Sequence, residues 1–133
     1  MKTIQFDFDR CGNKYSAFED SDSVSQIASG LDMMASGVMQ DLEAVDSMEK
    51  RNGFMYSCKV SVLEMKDGEK VKKQIIEFSC RYCDDNGQWY VEINYPSTCV
   101  PILRTDSINE TKKQIKSQMV LIICAMFDRI SKS

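Results

Sequence analysis

Three stretches decide the fold: Phe54-Met55-Tyr56-Ser57-Cys58-Lys59-Val60-Ser61-Val62, Ile76-Glu77-Phe78-Ser79-Cys80-Arg81-Tyr82, and Trp89-Tyr90-Val91-Glu92-Ile93-Asn94-Tyr95. In each, apolar and polar side chains alternate, the period of a strand with one buried face. Lys66-Asp67-Gly68 and Asp84-Asp85-Asn86-Gly87 separate them and carry turn chemistry. They predict a three-stranded antiparallel meander whose shared face holds Tyr56, Phe78 and Val91. A three-residue Lys66-Asp67-Gly68 loop is expected, setting Tyr56 opposite Phe78, because a two-residue Asp67-Gly68 loop would mismatch the faces. A two-residue Asn86-Gly87 turn is likewise expected, setting Tyr82 opposite Val91.

Working outward, Ile4, Phe6 and Phe8 alternate with Gln5, Asp7 and Asp9, and Gly12-Asn13 offers a turn into a short strand over 14–18. Ser23 with Gln26 has capping-box spacing. Behind it Val24, Ile27, Leu31, Met34, Val38, Leu42, Val45 and Met48 recur every three or four residues, predicting one long helix that stops at Asn52-Gly53. After Tyr95-Pro96 a loop through Pro101 leads to Ser107, which with Glu110 caps a second helix reaching about Ile130. The expected architecture is a two-layer α+β domain spanning 1–133. Its order is β-β-α-β-β-β-α, with an antiparallel sheet of about five strands and two helices on one face.

Composition excludes much chemistry. The 133 residues contain no histidine, which removes the commonest general base and metal ligand. Nor is there a phosphate-binding glycine loop or a nucleophile elbow. Cys80-Arg81-Tyr82-Cys83 has C-x-x-C spacing, but in a strand residues three apart point to opposite faces, so neither a redox pair nor a zinc site is expected. The six cysteines read as free thiols. Asp7/Asp9, Asp20/Asp22 and Asp84/Asp85 read as solvated or turn carboxylates. No catalytic residue, metal or cofactor is therefore expected.

The net charge is −3 and the isoelectric point about 5.0. Residues 1–53 are strongly acidic and 54–133 slightly basic, so nucleic acid is not the expected partner. The first ten residues lack an apolar leader core, and the longest apolar run, Val120 to Phe127, is too short to span a membrane. A cytoplasmic location is expected.

Two surfaces suggest a protein that binds other proteins. On the sheet face opposite the core, Met55, Leu63, Met65, Ile75 and Tyr90 stand among charged and polar side chains, a composition that adaptable partner surfaces use. On the helices, Ala28-Ser29-Gly30-Leu31 and Ala35-Ser36-Gly37-Val38 echo one another seven residues apart. Two glycines on a helical period imply close approach, either to the protein's own sheet or to a partner. Val120 to Phe127 is apolar all round, so its outer face needs a cover: the first helix or a second copy. Gly30, Gly37, Leu121 and Cys124 are the candidate self-association residues of a homodimer. Secretion chaperones are similar in size and acidity, and immunity proteins and small inhibitors work in the same way, by binding.

Two alternatives stand beside this reading. Lys112-Lys113-Gln114-Ile115-Lys116 is similar to the lysine run with which double-stranded RNA-binding domains grip phosphates, and the helix–strand–strand–strand–helix order resembles theirs. That resemblance implies RNA contacts at Lys112, Lys113 and Lys116. A small ligand held between sheet and helices is the other alternative.

Overall fold

A computed structural model describes residues 2–20, 23–45 and 48–133. The element order is β1 (Thr3–Arg10), β2 (Asn13–Asp20), α1 (Val24–Glu43), α2 (Met48–Arg51), β3 (Met55–Lys66), β4 (Glu69–Cys83), β5 (Gln88–Tyr95), β6 (Thr98–Thr105) and α3 (Ile108–Ser131). All six strands form one antiparallel sheet in the order β2-β1-β3-β4-β5-β6. α1 packs over β1, β2 and β3 and α3 over β4, β5 and β6, and the helices also touch each other. This is the expected α+β class with one strand more. β6 read as a loop because it contains Pro101. The strand lies at the sheet edge and is irregular opposite Val91/Glu92, so a residue without an N–H is tolerated there.

The core follows from strand alternation. Phe8, Cys58, Phe78 and Ile93 form one row across β1, β3, β4 and β5, with Phe6, Val60 and Ile76 beside it. Tyr56, Cys80 and Val91 form another. All ten are buried, as are Leu31, Met34, Val38 and Leu42 of α1 and Ile115, Ile122 and Met126 of α3. The expected common face of the meander is therefore present, but both expected registers are corrected. Asp67 and Gly68 alone make the first turn, both at positive φ (52° and 80°), with Lys66 opposite Glu69. The face mismatch this would cause is absorbed by a bulge: Val60 pairs Ile76 and Ser61 pairs Gln74, leaving Ile75 as the extra residue. Tyr56 consequently faces Cys80, not Phe78. The second turn uses all four of Asp84 to Gly87, so Tyr82 faces Trp89 rather than Val91, a slip of two residues that keeps the faces.

The N-terminal turn is also displaced. Cys11 and Gly12, with φ of 53° and 93°, replace the expected Gly12-Asn13 pair, and β2 begins at Asn13. Ser23 and Ser107 cap α1 and α3 as read, accepting hydrogen bonds from the N–H groups of Gln26 and Glu110 at 3.4 and 3.1 Å. The expected long first helix ends early, at Ala44, and α2 follows. Its apolar stripe runs on into buried Val45, which is why the break was invisible in the periodicity; the side chain of Met48 lies outside the described set.

Arg10 ties the N-terminal hairpin to α1. Its guanidinium donates to both carboxylate oxygens of Asp41, at 2.9 and 2.5 Å, and to Tyr15 Oη and Gln40 Oε1. These bonds hold its pKa above the ordinary arginine value.

Candidate functional site

The sheet face away from the helices is mostly a lattice of paired charges. Asp7 on β1 accepts from Lys72 Nζ (2.8 Å), Ser16 Oγ (2.6 Å) and Gln5 Nε2 (2.6 Å). Asn94 donates to Glu77, and Arg81 pairs with Glu92 at 3.6 Å. Burial alone would raise the Asp7 pKa, but the bonds from Lys72, Ser16 and Gln5 outweigh it and hold the carboxyl below its ordinary 3.8. A depressed folded-state pKa gives stability that is present above the unfolded value and lost as pH falls through the folded one. Asp7→Asn is therefore expected to destabilise the protein at pH 7 and to change it little at pH 2; urea titrations at the two pH values check this.

The five residues expected to form one apolar surface are dispersed. Met55 and Met65 lie on this face at opposite ends of β3, about 30 Å apart at the rise of an extended strand. Tyr90 is committed within the protein. The Arg81 and Arg104 guanidinium carbons sit 4.4 and 5.2 Å from its ring centroid, and Asn86 donates to its hydroxyl. Ile75 is a correction: as the bulge residue it is buried and lines a cleft with Pro96, Arg129 and Lys132 on the helix side.

At the far end of the sheet, however, Leu63 and Met65 join a residue the sequence reading missed. Leu63 is buried, while Phe18 is 56% and Met65 67% exposed. With Thr3, Glu64 and Lys70 they line an open cleft of about 340 Å³. The clue to Phe18 was Gln5: antiparallel partners share a face, and Phe18 pairs with Gln5 on the polar side of β1. This cleft borders β2, the edge strand, whose outer side pairs with no strand among the described residues.

The helix candidates divide. Gly30 and Gly37 are buried against the sheet, where an added Cβ would lie 2.6 Å from the Phe6 ring and 2.8 Å from Tyr56 Oη. The glycines thus serve close approach within the chain and are corrected as self-association residues. Leu121 and Cys124 are exposed, and neighbouring Val120 is more than two-thirds so, because α1 covers only one flank of α3. Ala28, Leu31 and Asp32 of α1 and Ile123, Cys124, Phe127 and Asp128 of α3 border a mainly apolar groove between the helices. Lys112, Lys113 and Lys116 line another cleft toward the N-terminus of α3, shared with Met39 and with Glu43, whose carboxylate opposes a polyanion. The intervening strand β6 also departs from the three-strand order of double-stranded RNA-binding domains.

The cysteines do not converge. Cys80 faces the core and Cys83, three residues on, the other side, and all six thiols are unpaired. Burial pushes the Cys80 pKa up to about 12, and that of Cys58 up as well, so both stay protonated and weakly nucleophilic. Cys99 donates to Glu92 at 2.6 Å, and this bond raises its pKa too. Among the described residues, no three of Cys, Asp and Glu gather as a metal site, and no helix is long and apolar enough to cross a membrane. Asp22 of the Asp20/Asp22 pair lies outside the described residues. Trp89, Tyr56, Phe6 and Phe78 fill the layer between sheet and helices where a small ligand was the alternative. Compared with known proteins, the chain matches no family model, no curated protein sequence and no solved structure.

Proposed function

We propose that this is a non-catalytic binding protein, of the kind chaperones, immunity proteins and inhibitors exemplify. Its partner is another protein, captured through an extended segment added alongside β2. One observation carries the reading: Phe18 and Met65 flank buried Leu63 in a cleft beside an edge strand whose outer side pairs with no strand among the described residues. The edge supplies main-chain donors and acceptors, and the cleft accepts one apolar side chain of the incoming strand, the two components of strand addition. The opposite edge, β6, is less suited because Pro101 lacks a donor.

A random twelve-residue peptide library displayed on phage and panned against the purified protein tests this. Expected is enrichment of sequences alternating apolar and polar residues, and at least tenfold weaker binding to the Phe18→Asp/Met65→Asp variant, which alters only exposed side chains. Absence of enrichment, or binders indifferent to both substitutions, would refute the proposal.

A further inference from the structure

A second surface carries an inference that goes beyond peptide capture and uses different residues. Within 113–128 of α3 the exposed positions are Lys113, Lys116, Ser117, Val120, Leu121, Cys124 and Asp128. Six of these seven form a palindrome about the point between Val120 and Leu121. Val120 mirrors Leu121, Ser117 mirrors Cys124, and Lys113 mirrors Asp128. Their steps of three and four residues keep them on one side of the helix. The mirrored pairs are also chemically complementary: aliphatic with aliphatic, small with small, cation with carboxylate.

We infer that two copies of this chain associate through α3, the helices crossing antiparallel on a two-fold axis between Val120 and Leu121. Two-fold contacts are self-complementary, so residue i of one protomer meets residue j of its partner and the reverse. Val120 and Leu121, 71% and 70% exposed, then cover each other at the centre. Ser117 and Cys124, being small, let the helix axes approach on either side. At each end Lys113 reaches the partner's Asp128.

Around Lys113 the α3 surface is basic, through exposed Lys113 and Lys116 with half-buried Lys112 beside them. The C-terminal end is mixed: Asp128, with Asp32 across the groove on α1, stands beside exposed Arg129 and Lys132. Antiparallel crossing sets Lys113 of each protomer on the partner's Asp128; parallel crossing would oppose Lys113 to Lys113 and Asp128 to Asp128. Within its own chain Asp128 holds Lys132 at 2.9 Å, an exposed pair that leaves the second carboxylate oxygen for the partner's lysine. The arrangement also covers the outer side of the Val120–Phe127 run that α1 leaves open.

Sedimentation equilibrium of the full chain over a wide concentration range tests both the pairing and its register. The wild type is expected to be a concentration-dependent dimer. Lys113→Glu and Asp128→Lys should each weaken association by roughly tenfold, since each places two like-charged pairs in the symmetric contact. The double variant Lys113→Glu/Asp128→Lys restores both pairs with their signs exchanged and should return to within about threefold of wild type. These side chains are exposed, and circular dichroism of each variant should match the wild type. A protein monomeric up to on the order of 1 mM overturns the inference, as does a dimer that the double variant fails to restore. Peptide capture at Phe18 and Met65 is measured separately, so failure at one surface is distinct from failure at the other.

Discussion

Replacing Gly30 with alanine should lower stability by about 1–2 kcal/mol, although alanine is the better helix former, and replacing it with valine should leave little folded protein. At an exposed helix position the first change would add about 1 kcal/mol of stability. Here the new Cβ would sit 2.6 Å from two carbons of the Phe6 ring. Phe6 is fully buried between the sheet and α1, so its ring has nowhere to retreat without displacing the row it shares with Val60 and Ile76. Overpacking of a filled core costs about 1–3 kcal/mol, which outweighs the propensity gain. Valine adds two further carbons and a β-branch to the same clash. The mechanism predicts a specific rescue. Phe6→Leu alone should destabilise by removing ring volume, but in the Gly30→Ala background it should cost less, or even stabilise, with coupling of about 1 kcal/mol or more. Urea unfolding of the four-member cycle measures this, and strict additivity would show that the contact between Gly30 and Phe6 is not the cause.

The same glycine illustrates what local pattern could reveal and what it could not. The spacing of Gly30 and Gly37 made close approach legible, but not what approaches, because sheet and partner ask for the same small residue. Strand faces were equally legible: Tyr56, Phe78 and Val91 do share the buried side. Register was not, since alternation has period two and cannot distinguish a four-residue from a two-residue turn. Nor does it show an extra residue, because Ile75 and Ile76 are both apolar and either fits the pattern. β6 was hidden by a proline whose acceptability depends on lying at an edge, a property of the finished sheet.

The surface was legible in proportion to its dependence on alternation alone. Leu63 and Met65 were placed by position within one strand, and their place on the outer face holds. Phe18 depended on pairing across the first hairpin, whose turn lies one residue earlier than Gly12-Asn13 suggests. The shift moves the partner of Phe18 by two residues along β1, from Asp7 to Gln5, and keeps the faces, so the outer position of Phe18 follows from either turn once the strands are paired. Ile75 failed because a bulge turns its residue out of the alternation. The palindrome on α3 is present in the sequence, yet it becomes visible only when packing shows which positions of that all-apolar run remain outside.

A one-residue deletion separates a bulge from an ordinary ladder position, and the contrast should be large. Removing Ile75 leaves Gln74 joined to Ile76. Gln74 pairs Ser61 on the outer face and Ile76 pairs Val60 on the inner one, so alternation across the new bond is correct and every other β3–β4 partner is kept. What disappears is one buried isoleucine and the local twist, a loss of about 2–3 kcal/mol by side-chain burial. The shortened protein should therefore fold cooperatively, with a melting temperature lower by roughly 5–10 °C. Removing Ser79 instead joins Phe78 to Cys80, two residues that both face the core. Keeping the pairing before the cut turns Cys80 and Tyr82 outward and Arg81 inward. Sliding the preceding segment to take up the bulge turns Ile76 and Phe78 outward instead. Either route expels core side chains or buries a charge in a sheet pinned on both sides by β3 and β5, and no cooperative transition should remain. Thermal melts of the two deletions, with amide spectra to confirm the retained register, give the comparison. Equal disruption by both would mean that the extra residue at position 75 is not where the sheet holds its slack.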